Sequence, residues 1–511
     1  MTPRMAWRIK VRDSDEAPTA KDLKCIAAEK GRRGLPTFGL AADAKHAHKL
    51  VLIRPADWGL QACRAAPGDP LFINTRGTYG LASAAYWWGR LGAGLVRAAH
   101  YFVGNGRTDS SPGGLWLTRF ADDFNLEGEG PHFATVIVMT LLFWVVLGVP
   151  MAWSKCRGGR AYDWVGYELL LQECALGISE KRAAWVKGWY VKVLTRGTVS
   201  LGELRAAVGR LCFVCGALRY DRPFIAPIYA FVGALARKRS VAPDTEHPLP
   251  QFLRMIFGWL LARLQERRHE RCSFNDLCEG QLFRVDAKAE GSTIVLGGWK
   301  PTLNGAGKID PRISPWFSTR LTRENAPWAF DKAGQPFRVI SALELLATTV
   351  AFILFAPSAM DGARRRFGIR VSSWTDSQVA TAAAAKGLSA SYPLCLVQME
   401  LSAQMESRRA ILEPEWAPRE VNQEADALTN EVFGQFAPDF RISATMDSLP
   451  WVIFPRLVDE SRNFYAELIA ESSRTGGAGV PAGSERPALS APRRPHRLSG
   501  RTGGLRVSDP W

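Results

Sequence analysis

The spacing of apolar residues changes along this chain, and each change marks a different kind of structure. From Leu40 to about Leu171, β-branched and aromatic runs alternate with longer apolar helical stretches, which predicts a sheet covered by helices. From about Ser179 to Arg239 apolar residues recur every third or fourth position, as in LGELRAAVGRLCFVCGALRY, and predict helices. Pro-rich VAPDTEHPLPQ reads as a linker. The helix FLRMIFGWLLARLQERRHER follows, with an apolar half that can pack and an arginine-rich end that faces solvent or a phosphate backbone. From Gln281 to about Gly434 the order is clearest. Strands LFRVDAKA, STIVLGGW and PWFSTRL precede a helix from about Ile340, then a strand IRVSSWTD, two helical segments, a strand AILEPEW and a last helix from about Asn422. That order predicts an α/β (α+β) chain with a mixed sheet in its C-terminal half. No internal repeat is present.

The run His132–Ala152, HFATVIVMTLLFWVVLGVPMA, is long and apolar enough to raise a single-pass membrane protein as an alternative. Gly148 and Pro150 near its end, and the acids Asp122, Asp123 and Glu127 before it, favour a helix buried in a domain. The N-terminus, MTPRMAWRIKVRDSDE, has no apolar core of signal-peptide length, and the start reads as arbitrary or truncated. Nine cysteines without dense regular spacing fit reduced thiols in an intracellular protein, nuclear or cytoplasmic and not secreted. With 65 lysines and arginines against 49 acids the formal charge is +16, which favours a polyanionic partner. Part of that excess lies after Ser472, in a Gly-, Pro-, Ser- and Arg-rich tail expected to be disordered.

Asp286 within the first C-terminal strand, Glu344 in the first turns of the long helix, Asp376 at the end of the fourth strand and Asp426 in the last helix are candidate metal ligands. Singly, such acids are usually caps or solvated residues. Asp286 in FRVDA and Glu344 in SALELLA, however, sit in apolar surroundings where a carboxylate requires a partner, and a divalent cation would supply one. Cys212 and Cys215 form a CxxC on a helical pattern without a matching second pair, and read as core cysteines. His269, Cys272 and Cys278 lack a fourth ligand, while His46 and His48 alternate as if lining a strand.

VDAKA, ALELLA, WTDSQVA and PREVNQEADALTN resemble the successive signatures of the ribonuclease H-like domains attached to retroelement reverse transcriptases, those of DIRS-like elements above all. That resemblance implies that Asp286, Glu344, Asp376 and Asp426 hold two magnesium (or manganese) ions and hydrolyse RNA in RNA:DNA hybrids. It would have Asn422, at i, i+4 from Asp426, orient the RNA backbone, and small Ala425 let its helix approach the sheet. No histidine lies between Asp376 and Asp426, where cellular ribonucleases H carry one. Arg419 would fill part of that role without exchanging a proton.

In the N-terminal half, ADAKHAHKLV, TYGLASAAYWWGRL, FADD and LGVPMAWSKCRGG resemble, in order, the palm motifs of reverse transcriptases. The resemblance implies that Asp43 and Asp122 bind metal with Asp123 in support, that Lys155 neutralises or protonates the departing pyrophosphate, and that Gly80 and Ser83 line the path of template and primer. YDWVGYELL, with Trp164 and Gly166, resembles the primer-grip hairpin, and the helices after it a thumb. Too little chain precedes Asp43 for fingers, so polymerisation is expected to be lost, unless a separate chain supplies them. The expected division is 1–39 unassigned and partly disordered, 40–171 palm-like, 172–240 thumb-like, 241–280 linker and basic helix, 281–440 ribonuclease H-like, 441–471 an extension and 472–511 a basic tail. A catalytically inactive remnant that only binds nucleic acid is the alternative function.

Overall fold

The computed structural model describes residues 16–474 apart from 79–81, 105–113, 238–241, 277–279, 332–333, 337–338 and 358–366. It is a mixed α+β structure. Helix α1 (Ala20–Arg33) opens with a capping box between Thr19 and Asp22 and closes at Gly34 in the left-handed region, φ +65°. Sequence patterning assigned no element there, but α1 is tied down by ions: Lys30 pairs with Glu127, and Arg33 with Glu129 at 3.1 Å.

The first sheet places β1 (Thr37–Asp43) between β3 (Asp123–Glu129) and β4 (Arg157–Gly159), with β2 (Leu115–Phe120) on the far side of β3, all antiparallel. Helices α2 (Ala82–Phe102) and α3 (Phe133–Val146) cover one face. Trp88, Phe124, Leu126 and Trp144 fill the core between them. The apolar run His132–Ala152 therefore yields a helix of 14 residues, ended by Gly148 at φ +79°. Among the described residues no helix is long and apolar enough to cross a membrane. His46 and His48 do not line a strand. His46 takes φ +60° and leads into a 3-10 turn, Ala47–Leu50, because β1 ends at Asp43.

A second antiparallel sheet carries the hairpin β5 (Ala161–Trp164) and β6 (Tyr167–Leu170), then β7 (Ala175–Ile178) and β8 (His269–Arg271). Helices α4 (Glu180–Arg196), α5 (Leu201–Ala217), α6 (Ala226–Arg237) and α7 (Gln251–Glu266) pack beside it. The Pro-rich segment read as a linker is more ordered than expected, since Glu246–Pro248 pairs with Thr198–Ser200. The arginine-rich end after α7 pairs with acids while staying partly in solvent: Arg267, exposed, meets Glu406 at 2.9 Å and Arg268 meets Glu168 at 2.6 Å.

The C-terminal sheet has six strands. β10 (Phe283–Glu290), β11 (Thr293–Trp299) and β12 (Trp316–Leu321) run antiparallel, and β13 (Gly368–Thr375) joins β10 in parallel. Parallel β9 (Phe274–Asp276) and β14 (Ala410–Trp416) also pair with β13. α8 (Ile340–Phe355), almost wholly buried, crosses β10 and β11, with α9 (Gln378–Lys386) and α10 (Leu394–Ser407) beside it. α11 (Gln423–Thr429) packs on β10 and β11. α12 (Phe454–Arg474) follows and inserts Phe464 against Phe252, their rings 5.3 Å apart. One continuous apolar core runs from α4–α7 through this sheet to α12.

Gly297 of β11 faces Asp286 across the ladder. A Cβ there would lie 2.9 Å from the Leu428 Cβ and 3.0 Å from the Thr429 Cγ2, so glycine lets α11 press on the strands. Gly297→Val should destabilise the protein by about 2 kcal/mol or more through overpacking, measured by chemical denaturation. An unchanged midpoint would show that α11 yields without loss.

Candidate metal centre

The C-terminal acids come together from three separated elements. Asp286 projects from the middle of β10, Glu344 from the second turn of α8, and Asp376 follows the last residue of β13. Each offers a carboxylate oxygen within 4.8 Å of the others, and this is the one such grouping of potential ligands among the described residues. Asp286 and Glu344 are buried. Glu344 Oε2 and Asp376 Oδ1 are buried oxygens with no hydrogen-bond partner. Three acids so placed cannot all stay charged without a cation. Burial, with Asp286 and Asp376 adding to it, pushes Glu344 up to about 9. Burial also raises Asp286, against a hydrogen bond from the Thr429 hydroxyl, and raises Asp376. Orphaned hard oxygens in a like-charged, desolvated cluster fit a divalent cation.

Asp426 stands beside this group and outside it. Its carboxylate accepts from Arg419 and, at 2.9 Å, from Asn430 Nδ2, and its charge helps to raise Asp286 and Asp376. Arg419 is exposed at the rim. Asn422 is not a surface group that can reach a strand of RNA. It is buried at the start of α11 and its Nδ2 donates to the Val285 carbonyl at 2.9 Å, pinning α11 to β10. Helical spacing told which face Asn422 shares with Asp426 but not how deep that face lies. Ala425 is fully buried in the same contact. Thr429 and Gly297 were missed. The signal for Thr429 was its place one turn after Asp426, on the side of α11 that meets Asp286.

In the N-terminal half Asp43 ends β1 directly opposite Asp123, and the Ala44 amide donates to the Asp122 carbonyl, so the three acids adjoin at one turn. Asp123 is pushed up to about 6, chiefly by burial and then by Asp122 and Asp43. Lys155 Nζ donates to Asp43 Oδ2 at 2.8 Å and so neutralises a carboxylate. These acids do not converge as Asp286, Glu344 and Asp376 do. Gly80 lies outside the described residues, as does the side chain of Ser83, whose backbone belongs to α2. Trp164 is buried in the core and is a packing residue, not an exposed contact. Gly166 forms the β5–β6 turn at φ +82°, where a side chain would collide with Arg182. Cys212 sits on α5 against the Tyr229 hydroxyl and Cys215 is buried in the core; His269 bonds Glu168 at 2.8 Å, and Cys278 lies outside the described residues.

No family model matches the chain, and no curated protein matches it. Among solved structures it is similar to a foamy viral protease-reverse transcriptase in complex with RNA/DNA hybrid. The TM-score is 0.36 and the identity 12%, over 74% of this chain and 44% of that one. The chain thus spans less than half the length of that structure, and a likeness of this extent assigns no residue a role.

The Glu344 shift has a sign that can be checked. A carboxyl at about 9 when folded, against an ordinary 4.5, keeps a proton that the unfolded chain releases. Its contribution is complete below pH 4.5 and is lost as pH rises toward 9, by up to about 1.4 kcal/mol per pH unit. In chelator, Glu344→Gln should therefore gain melting temperature over the wild-type chain at pH 8 and little at pH 5. Added magnesium or manganese should stabilise the wild-type chain more than the variant. An equal response of both proteins to pH would refute the buried proton.

Proposed function

We propose that the C-terminal half is a divalent-metal-dependent ribonuclease H-type nuclease that cleaves RNA in RNA:DNA hybrids, within a retroelement-derived reverse transcriptase/ribonuclease H chain. The convergence of Asp286, Glu344 and Asp376 carries this reading, since buried like charges with orphaned oxygens have no use in a core. The resemblance of the surrounding motifs to the ribonuclease H-like signature supports it. Magnesium or manganese, when bound, would supply Lewis-acid stabilisation of charge on a phosphodiester and activation of water. The chain's own residues set the stage. Asp286, Glu344 and Asp376 would be the ligands, with Asp426 recruited as its bond to Arg419 is exchanged for a substrate phosphate. Thr429 fixes the Asp286 carboxylate, and Asn422 holds α11 in register with β10. Arg419 would contact the phosphate backbone as a fixed cation.

A polyanionic substrate is further supported by a groove of about 930 Å³ between α1, the β5–β6 turn, α5 and strands β13 and β14. Lys21, Arg182 and Arg222 line it together with Lys24 and Arg219, which meet Glu270, and Arg370, which meets Asp276 and Glu413. In the N-terminal half we expect no templated primer extension, because Asp43, Asp122 and Asp123 do not bring converging ligand oxygens together as Asp286, Glu344 and Asp376 do.

The full chain should cut the RNA strand of a labelled hybrid only with magnesium or manganese. Asp286→Asn and Asp376→Asn should each lower the rate by at least roughly a hundredfold while the fold survives. Salt-sensitive hybrid binding by a folded chain that never cuts would instead favour the inactive remnant. Arg419→Ala should weaken hybrid binding and raise KM more than it lowers kcat; a normal steady-state rate and affinity would remove Arg419 from the site. Primer extension abolished by Asp122→Ala would overturn the expectation for the N-terminal half.

A further inference from the structure

Cys174 and Cys272 stand opposite each other at one end of the second sheet. β7 and β8 run antiparallel with Ala175 facing Arg271, so the next pair outward is Cys174 and Cys272. The Cys272 amide donates to the Cys174 carbonyl at 2.8 Å. A hydrogen-bonded antiparallel pair holds its Cα atoms about 5.5 Å apart. That lies within the roughly 4.4–6.8 Å that a disulfide bridges. Both residues are thiols in this structure.

Both thiols lie near α1. Cys174 takes φ +48°, and a Cβ on Gly31 of α1 would come within 3.0 Å of its Sγ. The Cys272 thiol feels the charge of Lys24, and Lys30 is drawn up by both thiolates. Their surroundings differ. Cys174 is half-buried and lines a cavity of about 350 Å³ with Lys30 and Arg160. Lys30 also pairs with Glu127. An ammonium near a thiol favours the thiolate, which is the form that reacts. Cys272 is buried and pushed up to about 11, chiefly by burial, although Lys24 and Arg219 oppose this. An oxidant therefore meets Cys174 first, and Cys272 is placed to attack the product.

We propose that Cys174 and Cys272 form a reversible intramolecular disulfide when the chain meets a peroxide, joining β7 to β8. The Cys174 sulfur gives up its proton and displaces one oxygen of hydrogen peroxide, so that an S–O bond forms and the O–O bond breaks. The departing hydroxide takes that proton and leaves as water. The Cys272 sulfur then attacks the sulfenic acid left on Cys174. An S–S bond forms, the S–O bond breaks, and the hydroxyl leaves with the Cys272 proton as a second water. The thiol pair has lost two electrons and the peroxide has gained two. The bond closes a loop that holds α4 to α7. The next residue, Ser273, accepts from the Gly368 amide at the start of β13, so the link sits where the helices join the C-terminal sheet. It does not depend on the nuclease reading.

Peptide mapping of the full chain under non-reducing conditions, before and after a few equivalents of hydrogen peroxide, tests it. The expected result is a pair of peptides joined through Cys174 and Cys272 that dithiothreitol separates again. The melting temperature should rise by several degrees over that of the reduced chain, because the closed loop is long. Cys272→Ala should abolish the joined pair and the rise, and leave Cys174 as a sulfenic acid that dimedone labels. Cys174→Ala should leave Cys272 unmodified. A wild-type chain in which oxidised Cys174 pairs with another cysteine, such as exposed Cys25, overturns the proposal. So does oxidation of Cys174 to a sulfinic acid without a link to Cys272, and so does a Cys174 thiol that survives peroxide unmodified.

Discussion

Mutual repulsion among Asp286, Glu344 and Asp376 is the constraint around which the C-terminal half is arranged. Apolar packing cannot relieve it, because each increment of burial raises the cost of charge. The sheet nevertheless places Asp286 at its centre and α8 holds Glu344 almost wholly buried, so the surroundings over-determine the position of both. Thr429 reaches Asp286 because α11 lies directly on β10 and β11, and α11 lies there because residue 297 has no side chain and residue 425 has a small one. The electrostatic site is thus a consequence of close backbone packing.

The N-terminal half faces the same difficulty and answers part of it with cations of its own, leaving Asp123 raised by burial and by Asp122 and Asp43. Asp43 has Lys155, Glu127 has Lys30 and Glu129 has Arg33. Two of those cations come from α1, so the helix that precedes the first sheet supplies counter-charge to its central acids. Burial pushes Lys30 down to about 8, although Glu129 acts to raise it. Carboxylates with an internal partner have less need of a metal than carboxylates with none. On that ground the two acidic centres differ: one gathers its acids at a single turn, the other draws them from mid-strand, a helix and a strand end.

The order of elements from β10 to α11 was legible because alternation in the strands and an unbroken apolar helix leave few other assignments. Asp286 and Glu344 were legible for the same reason, as acids in apolar segments. Depth was not legible. Asn422 and Trp164 looked like surface contacts and are buried, since residue spacing shows which side a group faces and not what covers that side. Asp426 was placed beside the other acids by sequence order, and it lies near them with its carboxylate bonded to Arg419 and Asn430, a pairing that spacing did not show. α1 and α12 were overlooked because each carries a high density of charged residues, and their stability comes from specific partners elsewhere in the fold. Lys30 with Glu127, and Phe464 with Phe252, are pairings between distant segments that no local pattern announces.

The apolar run at α3 shows how hydropathy alone misleads. Its composition suits a lipid core, but length decides otherwise, because Gly148 in the left-handed region ends the helix after four turns and Val149 returns to Trp144. The helix's inner face, Ile137, Thr140 and Trp144, packs on the first sheet, while Val138, Leu142 and Val146 on the outer face stay exposed, so composition recorded apolarity without telling which side the fold covers.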